Sequence, residues 1–152
     1  MAIRIGDFKA SDEQKQIVND IIDSGRLTEG KYVKLFEDEA KKYLGVKNAI
    51  AVTNGTVGLN LVASYLAFVK YKKELNVVIP AMTFPATLNA FLFSEYRCAL
   101  TDVGKDLQID VSKLSNVDKE NIDVIVPVHL MGYSADMDSI MKDAKEYGWT
   151  VV

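Results

Sequence analysis

The sequence predicts an α/β fold of three layers, a mostly parallel sheet flanked by helices. Three observations carry that prediction. Short apolar runs, Val77-Val78-Ile79 and Asp123-Val124-Ile125-Val126-Pro127-Val128 among them, read as strands, the second buried on both faces by its continuous apolar run. Between such runs lie segments with apolar residues at helical spacing, as crossover helices between parallel strands require. Gly45 and Gly148 each follow a helical segment, where a left-handed C-cap is wanted.

In chain order, Ser11 to Asp23 carries Ile17, Val18, Ile21 and Ile22 on one helical face, with Ser11 placed to cap it and Ser24-Gly25 to stop it. Arg26-Leu27-Thr28-Glu29-Gly30 is a turn. Lys31 to Leu44 is a second helix, with Val33, Phe36, Ala40, Tyr43 and Leu44 on one face. Ala49 to Thr53 is a short apolar strand. Thr56 to about Lys72 is a helix whose apolar residues, present on most faces, predict burial on several sides. Val77 to Ile79 is a strand closed by Pro80, Ala86 to Phe93 a helix, Arg97 to Val103 a strand and Asp110 to Leu114 a short helix. Asp123 to Val128 is the doubly buried strand. Met137 to Tyr147 is a helix turning Ile140, Met141 and Ala144 inward, and Trp149-Thr150-Val151-Val152 opens another strand. No repeat, low-complexity tract or linker divides the chain. Residues 1–152 read as a single partial domain that stops inside a strand, the N-terminal part of a longer polypeptide.

Composition excludes several classes. With 49% apolar and 26% charged residues the chain suits an ordinary globular core, and its net charge of −3 offers nucleic acid no basic footprint. No apolar stretch approaches the ~20 residues needed to cross a bilayer. Met1 to Asp7 lacks the apolar region of a secretory signal. One cysteine, Cys98, excludes an intrachain disulfide and suits a reducing cytoplasm; set in an apolar run, it reads as a buried thiol and not a nucleophile.

Ligands of parallel α/β sheets gather at the carboxyl ends of the strands. Asn54-Gly55-Thr56-Val57 lies at such an end, before a helix. A helix N-terminus offers free N–H groups and a positive dipole, Gly55 permits close approach and Thr56 adds a hydroxyl, so the segment suits a phosphate. Taken alone it equally suits a plain helix cap. Thr83-Phe84-Pro85 occupies the equivalent end of the next strand. Phe84 either turns its ring over the same crevice or packs in the core, and Thr87 and Asn89 are either caps or supporting donors. Together the two segments suggest a pocket for an aromatic phosphate ester. His129 follows the strand ending at Val128. It is either an acid–base group or structural, with no Ser, Cys or carboxylate visibly arranged around it and no second histidine for a metal. Asp102, Asp106 and Asp110 read as turn and cap residues, and Asp136 and Asp138 as caps of the helix after Gly132. No Gly-x-Gly-x-x-Gly, Walker-type or Cys-x-x-Cys motif occurs.

Five segments, in order and at matching spacing, resemble the DegT/DnrJ/EryC1/StrS sugar aminotransferases over almost the whole chain. They are Ser24 to Gly30; Phe36-Glu37 with Tyr43-Leu44-Gly45-Val46; Thr53 to Leu59, similar to Ser-Gly-Thr-Ala-Ala-Leu; Pro80 to Ala90, similar to Pro-x-x-Thr-Phe-x-Ala-Thr-x-Asn-Ala; and Val128-His129-Leu130-Met131-Gly132 with Asp136-Met137-Asp138, similar to Val-His-Leu-Tyr-Gly and Asp-Met-Asp. The resemblance implies the N-terminal part of the large domain of a fold type I, aspartate aminotransferase-like enzyme using pyridoxal 5′-phosphate. It implies that Gly55, Thr56 and the amide of Val57 hold the cofactor phosphate and that Phe84 stacks on its ring. It implies an amino-acid donor, usually glutamate, a nucleotide-linked keto sugar as acceptor, a role in amino-sugar and polysaccharide biosynthesis, and a homodimer with sites at the subunit interface. Val57-Gly58 replaces the commoner Ala-Ala, and Met131 the usual tyrosine. The family's aspartate for the ring nitrogen and its cofactor-holding lysine belong to later motifs, and no lysine here sits in a matching one. The implied catalytic residues are therefore none of this chain's, and the 152 residues alone are expected to be inactive. The alternatives are a dehydratase of the same family using the pyridoxamine form, a non-catalytic fragment, and a flavodoxin-like phosphate-binding domain.

Overall fold

The structure, a computed structural model, describes residues 8–152 as two compact units, one ending at Ala51 and the other beginning at Val52. The Met1 to Asp7 segment lies outside the described residues. The first unit holds α1 (Asp12–Asp23) and α2 (Lys31–Leu44). Ser11 and Gln14 form a reciprocal capping box on α1, the Gln14 amide donating to Ser11 Oγ at 3.2 Å and the Ser11 amide to Gln14 Oε1 at 2.9 Å. Gly45, at φ 65°, closes α2. Neither helix buries a residue fully; Phe36, Tyr43 and Leu44, expected on a core face, are exposed. Two short helices give each apolar stripe little to pack on.

Ala49–Thr53 is not a strand. A strand needs a hydrogen-bonding neighbour, and among the described residues none pairs with it. The Ala51 amide donates to Glu37 Oε1 at 2.9 Å, and Ile50 is exposed.

The second unit is a parallel four-stranded sheet in the order β2-β1-β3-β4, formed by β1 (Asn76–Pro80), β2 (Arg97–Thr101), β3 (Val124–Ile125) and β4 (Thr150–Val151). Alternation along β1 sorts the core. Val77 and Ile79 pack with Ala63, Leu66, Phe91 and Tyr96 on one face, and Val78 packs with Ile125, Ile140, Ala144 and Trp149 on the other. The first face carries α3 (Gly55–Ser64) and α4 (Pro85–Leu92); the second carries α6 (Met137–Tyr147). Three layers result, as the sequence predicts.

Several boundaries differ from expectation, each for a physical reason. Helix α3 runs on as π-helix over Tyr65–Tyr71 and ends at Lys72, φ 53°. It buries Ala63, Leu66 and Ala67 and leaves Leu61, Tyr65, Phe68 and Val69 exposed, because one helix meets a sheet along one stripe. Strand β3 is shorter than Asp123–Val128: after Val126 N donates to Val78 O at 3.0 Å, Pro80 has no N–H with which to continue the ladder. Strand β2 stops at Thr101, and Val103 instead forms an isolated antiparallel bridge to Ile109. The Asp110–Leu114 helix is a 3₁₀ turn over Val111–Lys113. A helix not read from the sequence, α5 (Asn116–Glu120), is started by a Ser115–Asp118 capping box. On α6, Ile140 and Ala144 are buried but Met141 is exposed.

Asp136 caps α6, accepting from the Ser139 amide at 3.1 Å and its hydroxyl at 2.7 Å. Those bonds hold its carboxyl below the usual range. A depressed folded pKa adds stability above the unfolded value of ~3.9 that is lost as pH falls through the folded one. Asp136→Asn, which keeps a capping oxygen but does not titrate, is expected to flatten that acid limb. Identical acid unfolding profiles for the variant and the parent would count against it.

Candidate functional site

The two segments singled out in the sequence open two neighbouring helices. Asn54 is the N-cap of α3; its Oδ1 accepts from the Val57 amide at 3.0 Å, and its carbonyl accepts from Gly58 N at 3.2 Å. Helix geometry leaves the amides of Gly55 and Thr56 with no intrahelical acceptor. No acidic residue occupies the first turn of α3, so its positive end is uncompensated. A Cβ added at Gly55 would meet nothing within 4 Å, so the space over this backbone is open. Gly55, Thr56 and Val57 are all exposed.

Phe84 is the N-cap of α4 at φ −70°, ψ 139°, the extended conformation that Pro85 imposes on its predecessor. Its ring is 76% exposed and therefore not a core ring. Below it the turn is stapled: the Thr83 and Thr87 hydroxyls meet at 3.0 Å, and the Thr87 amide donates to Phe84 O at 2.9 Å. Thr87 is thus a buried turn residue, while the Asn89 carbonyl accepts from Phe93 within the helix end.

The far ends of the two helices are tied together. The Ser64 and Ser94 hydroxyls meet at 3.2 Å, and Tyr96 Oη donates to Ala63 O at 3.0 Å. Burial pushes the Tyr96 phenol up to about 12, which keeps it a donor at any ordinary pH. Helices α3 and α4 also pack along each other. Joined at their C-termini and packed alongside, they open their N-termini toward the same side. Helix α4 follows β1 after only Ala81 to Phe84, so that side is the carboxyl edge of the sheet. The free amides of α3 and the Phe84 ring therefore share one edge.

One expected donor is already engaged. The Val57 amide belongs to Asn54, because the side chain of an N-cap reaches the third residue of its helix. His129 braces a turn, its Nδ1 accepting from Ala135 N at 3.1 Å. Asp106 accepts from Gln108 N at 3.1 Å and Asp110 from Ser112 N at 3.1 Å, as turn and cap residues do. Asp102 is exposed, 4.0 Å from Lys113 Nζ. Asp136 caps α6; Asp138 lies in its first turn. Cys98 is half-buried and burial pushes its thiol up, which makes it a poor nucleophile. The sequence did not single out Gln108, a lone buried amide in a connection, and no local pattern marks it. Among the described residues no three His, Cys, Asp or Glu side chains gather as metal ligands, and no helix is long and apolar enough to cross a membrane.

The profile of the DegT/DnrJ/EryC1/StrS aminotransferase family matches residues 9–152. The GDP-perosamine synthase of Vibrio cholerae is 30% identical over 137 residues, covering 89% of this chain and 36% of that protein. The chain thus spans little more than a third of the curated relatives it matches. Among solved structures, Helicobacter pylori PseC, an aminotransferase of pseudaminic acid biosynthesis, aligns at TM-score 0.82 with 27% identity, covering 94% of this chain and 38% of that one. The Escherichia coli GDP-4-keto-6-deoxy-D-mannose-3-dehydratase, solved with hydrated pyridoxal phosphate, aligns at TM-score 0.80 with 23% identity over 95% of this chain and 38% of its own, a likeness of fold alone. Pyridoxal 5′-phosphate is the cofactor of this family. The residues here fit it, with unpaired amides and open space for a phosphate and an exposed ring at the same edge. With the family profile matched from residue 9 to residue 152, the chain belongs to the DegT/DnrJ/EryC1/StrS aminotransferase family.

Proposed function

We propose that this chain supplies the phosphate and ring side of a sugar aminotransferase site. The Gly55 and Thr56 amides and the Thr56 hydroxyl hold the cofactor phosphate, and Phe84 covers one face of the pyridine ring. The protein transfers an amino group from an amino acid, glutamate by the family's habit, to the keto carbon of a nucleotide-linked sugar. The amino acid leaves as its 2-oxo acid. Bound, the cofactor supplies an electron-withdrawing ring and the carbonyl that carries the amino group between donor and acceptor. Its homodimeric state, cytoplasmic location and part in polysaccharide biosynthesis belong to the same reading. The observation that carries it is the pairing of unsatisfied helix amides with an exposed aromatic ring at one edge of a parallel sheet. The names of the relatives support the sugar nucleotide; the V. cholerae protein is a GDP-perosamine synthase.

None of this chain's lysines lies in the family's cofactor-holding motif, so the 152-residue chain is proposed to bind the cofactor reversibly and not to transaminate. Titration with pyridoxal phosphate, borohydride reduction and mass spectrometry test this. Saturable binding with no stoichiometrically labelled lysine is expected; one such lysine, with glutamate-dependent conversion to the pyridoxamine form, would overturn it. Phe84→Ala is expected to weaken cofactor binding by about 0.5–1.5 kcal/mol, the worth of a stacked aromatic pair beyond its area, with the melting temperature unchanged. Unaltered affinity would remove Phe84 from the site.

A further inference from the structure

The turn after β3 is held by a side chain acting as a strand. Gln108 is 2% exposed, and its amide grips one residue twice. Its Oε1 accepts from the Leu130 amide at 3.1 Å, and its Nε2 donates to the Leu130 carbonyl at 3.3 Å and to Asp106 O at 3.1 Å. Beside the clamp lie two non-glycine residues in the left-handed region, Leu107 at φ 66° and Met131 at φ 56°. A side chain with a Cβ keeps that conformation only where its surroundings over-determine it, and such residues cluster at ligand contacts. Here the surroundings are Gln108 on one side and the His129–Ala135 bond on the other.

The location is equally specific. Strands β1 and β3 are parallel neighbours, and Val126 still bonds Val78. The His129–Gly132 turn therefore leaves the sheet beside Ala81–Phe84, at the edge that carries the Phe84 ring. The peptide groups of Leu130 are spent: beyond Gln108, its amide reaches Val128 O at 3.0 Å and its carbonyl accepts from Tyr133 N at 3.1 Å. The side chain this turn exposes most is Met131, 82% exposed.

We propose that Gln108 is a positioning residue for the cofactor ring: by clamping Leu130 it presets the turn so that Met131 forms an apolar wall along the edge of the ring site. A polarisable thioether beside an aromatic heterocycle is a favourable contact. The inference rests on the cofactor reading above. Two probes keep the two apart, inorganic phosphate, which needs only the end of α3, and pyridoxal phosphate, which also needs the ring site. Met131→Ala and Gln108→Leu are each expected to weaken pyridoxal phosphate roughly two- to tenfold, the span of a sulfur–aromatic contact, and to leave inorganic phosphate unchanged. The double variant should be no weaker than Met131→Ala alone, since Gln108 acts only through Met131. Unchanged pyridoxal phosphate affinity in Met131→Ala, an exposed substitution that spares the fold, would overturn the proposal even if Gln108→Leu failed to fold. Equal loss of both ligands in a folded Gln108→Leu would also overturn it by reducing the clamp to a structural part. A parent chain that takes inorganic phosphate but not pyridoxal phosphate would sink the cofactor reading, and this inference with it.

Discussion

Replacing Phe91 by alanine is expected to lower the unfolding free energy by about 3–5 kcal/mol, the usual cost of truncating a fully buried phenylalanine. Phe91 has no exposed surface and meets the Tyr96 ring edge-to-face, centroids 5.1 Å apart at 89°. Tyr96 in turn holds α3 through Ala63. The cavity would open where α3, α4 and β1 converge. Against the 5–15 kcal/mol typical of a whole domain, the loss is a large share. Because Phe84 caps α4 and α3 begins at Gly55, the same variant should also loosen the proposed ligand edge. Urea unfolding followed by far-UV circular dichroism measures the effect, and a loss below about 1 kcal/mol would place the stabilising core of this unit elsewhere.

Gly55→Ala should behave in the opposite way, with the fold kept and the ligand lost. An added Cβ meets no atom within 4 Å, and alanine is the better helix former, so stability should hold or rise slightly. On the proposed reading, that open space is the route by which a phosphate reaches the Gly55 and Thr56 amides. A methyl group standing in it should reduce affinity for inorganic phosphate and for pyridoxal phosphate by at least about tenfold, ~1.4 kcal/mol. Gly58→Ala is the control: its Cβ would make an ordinary 3.5 Å contact with Val52 Cγ2, one turn into the helix. Isothermal titration of both variants decides the matter. If Gly55→Ala bound either ligand as the parent does, the glycine would serve the chain turn and not the ligand.

The parts of this fold legible in the sequence are those decided by local chemistry. Ser11 and Gly45 mark helix ends because a capping hydroxyl and a left-handed glycine act within a few residues. Val77 to Ile79 reads as a strand because an apolar run this short has little else to become. Ala49 to Thr53 is likewise short and mostly apolar and is not a strand, since pairing depends on a neighbour that composition does not supply. Helix α5 carried its sign, the Ser115–Asp118 capping box, but five residues with no apolar period give nothing further to read. Met141 was placed inward by its spacing beside Ile140 and Ala144; the apolar stripe of α6 is simply narrower. The site divides similarly. Gly55 and Thr56 are legible as residue types that open a helix behind an N-cap, although Ala49–Thr53 before them is not the expected strand. The choice of Asn54 for the Val57 amide, and of Gln108 for Leu130, depends on geometry no spacing encodes.

The Asn54 cap changes what binding at this helix means. An anion arriving at α3 does not meet three equivalent donors; it meets two, and a third held by an amide oxygen at 3.0 Å. To take the third it must evict a resident acceptor tethered to the same chain, so that step is an exchange. Its yield is the difference between a charge-assisted and a neutral hydrogen bond, about half of what an unoccupied donor would give. Asn54 also leaves the start of α3 less dependent on an anion for completion. In the proposed site, affinity then depends on the Gly55 and Thr56 donors and the aromatic ring beyond them, and discrimination among phosphates falls to whatever each carries at its other end.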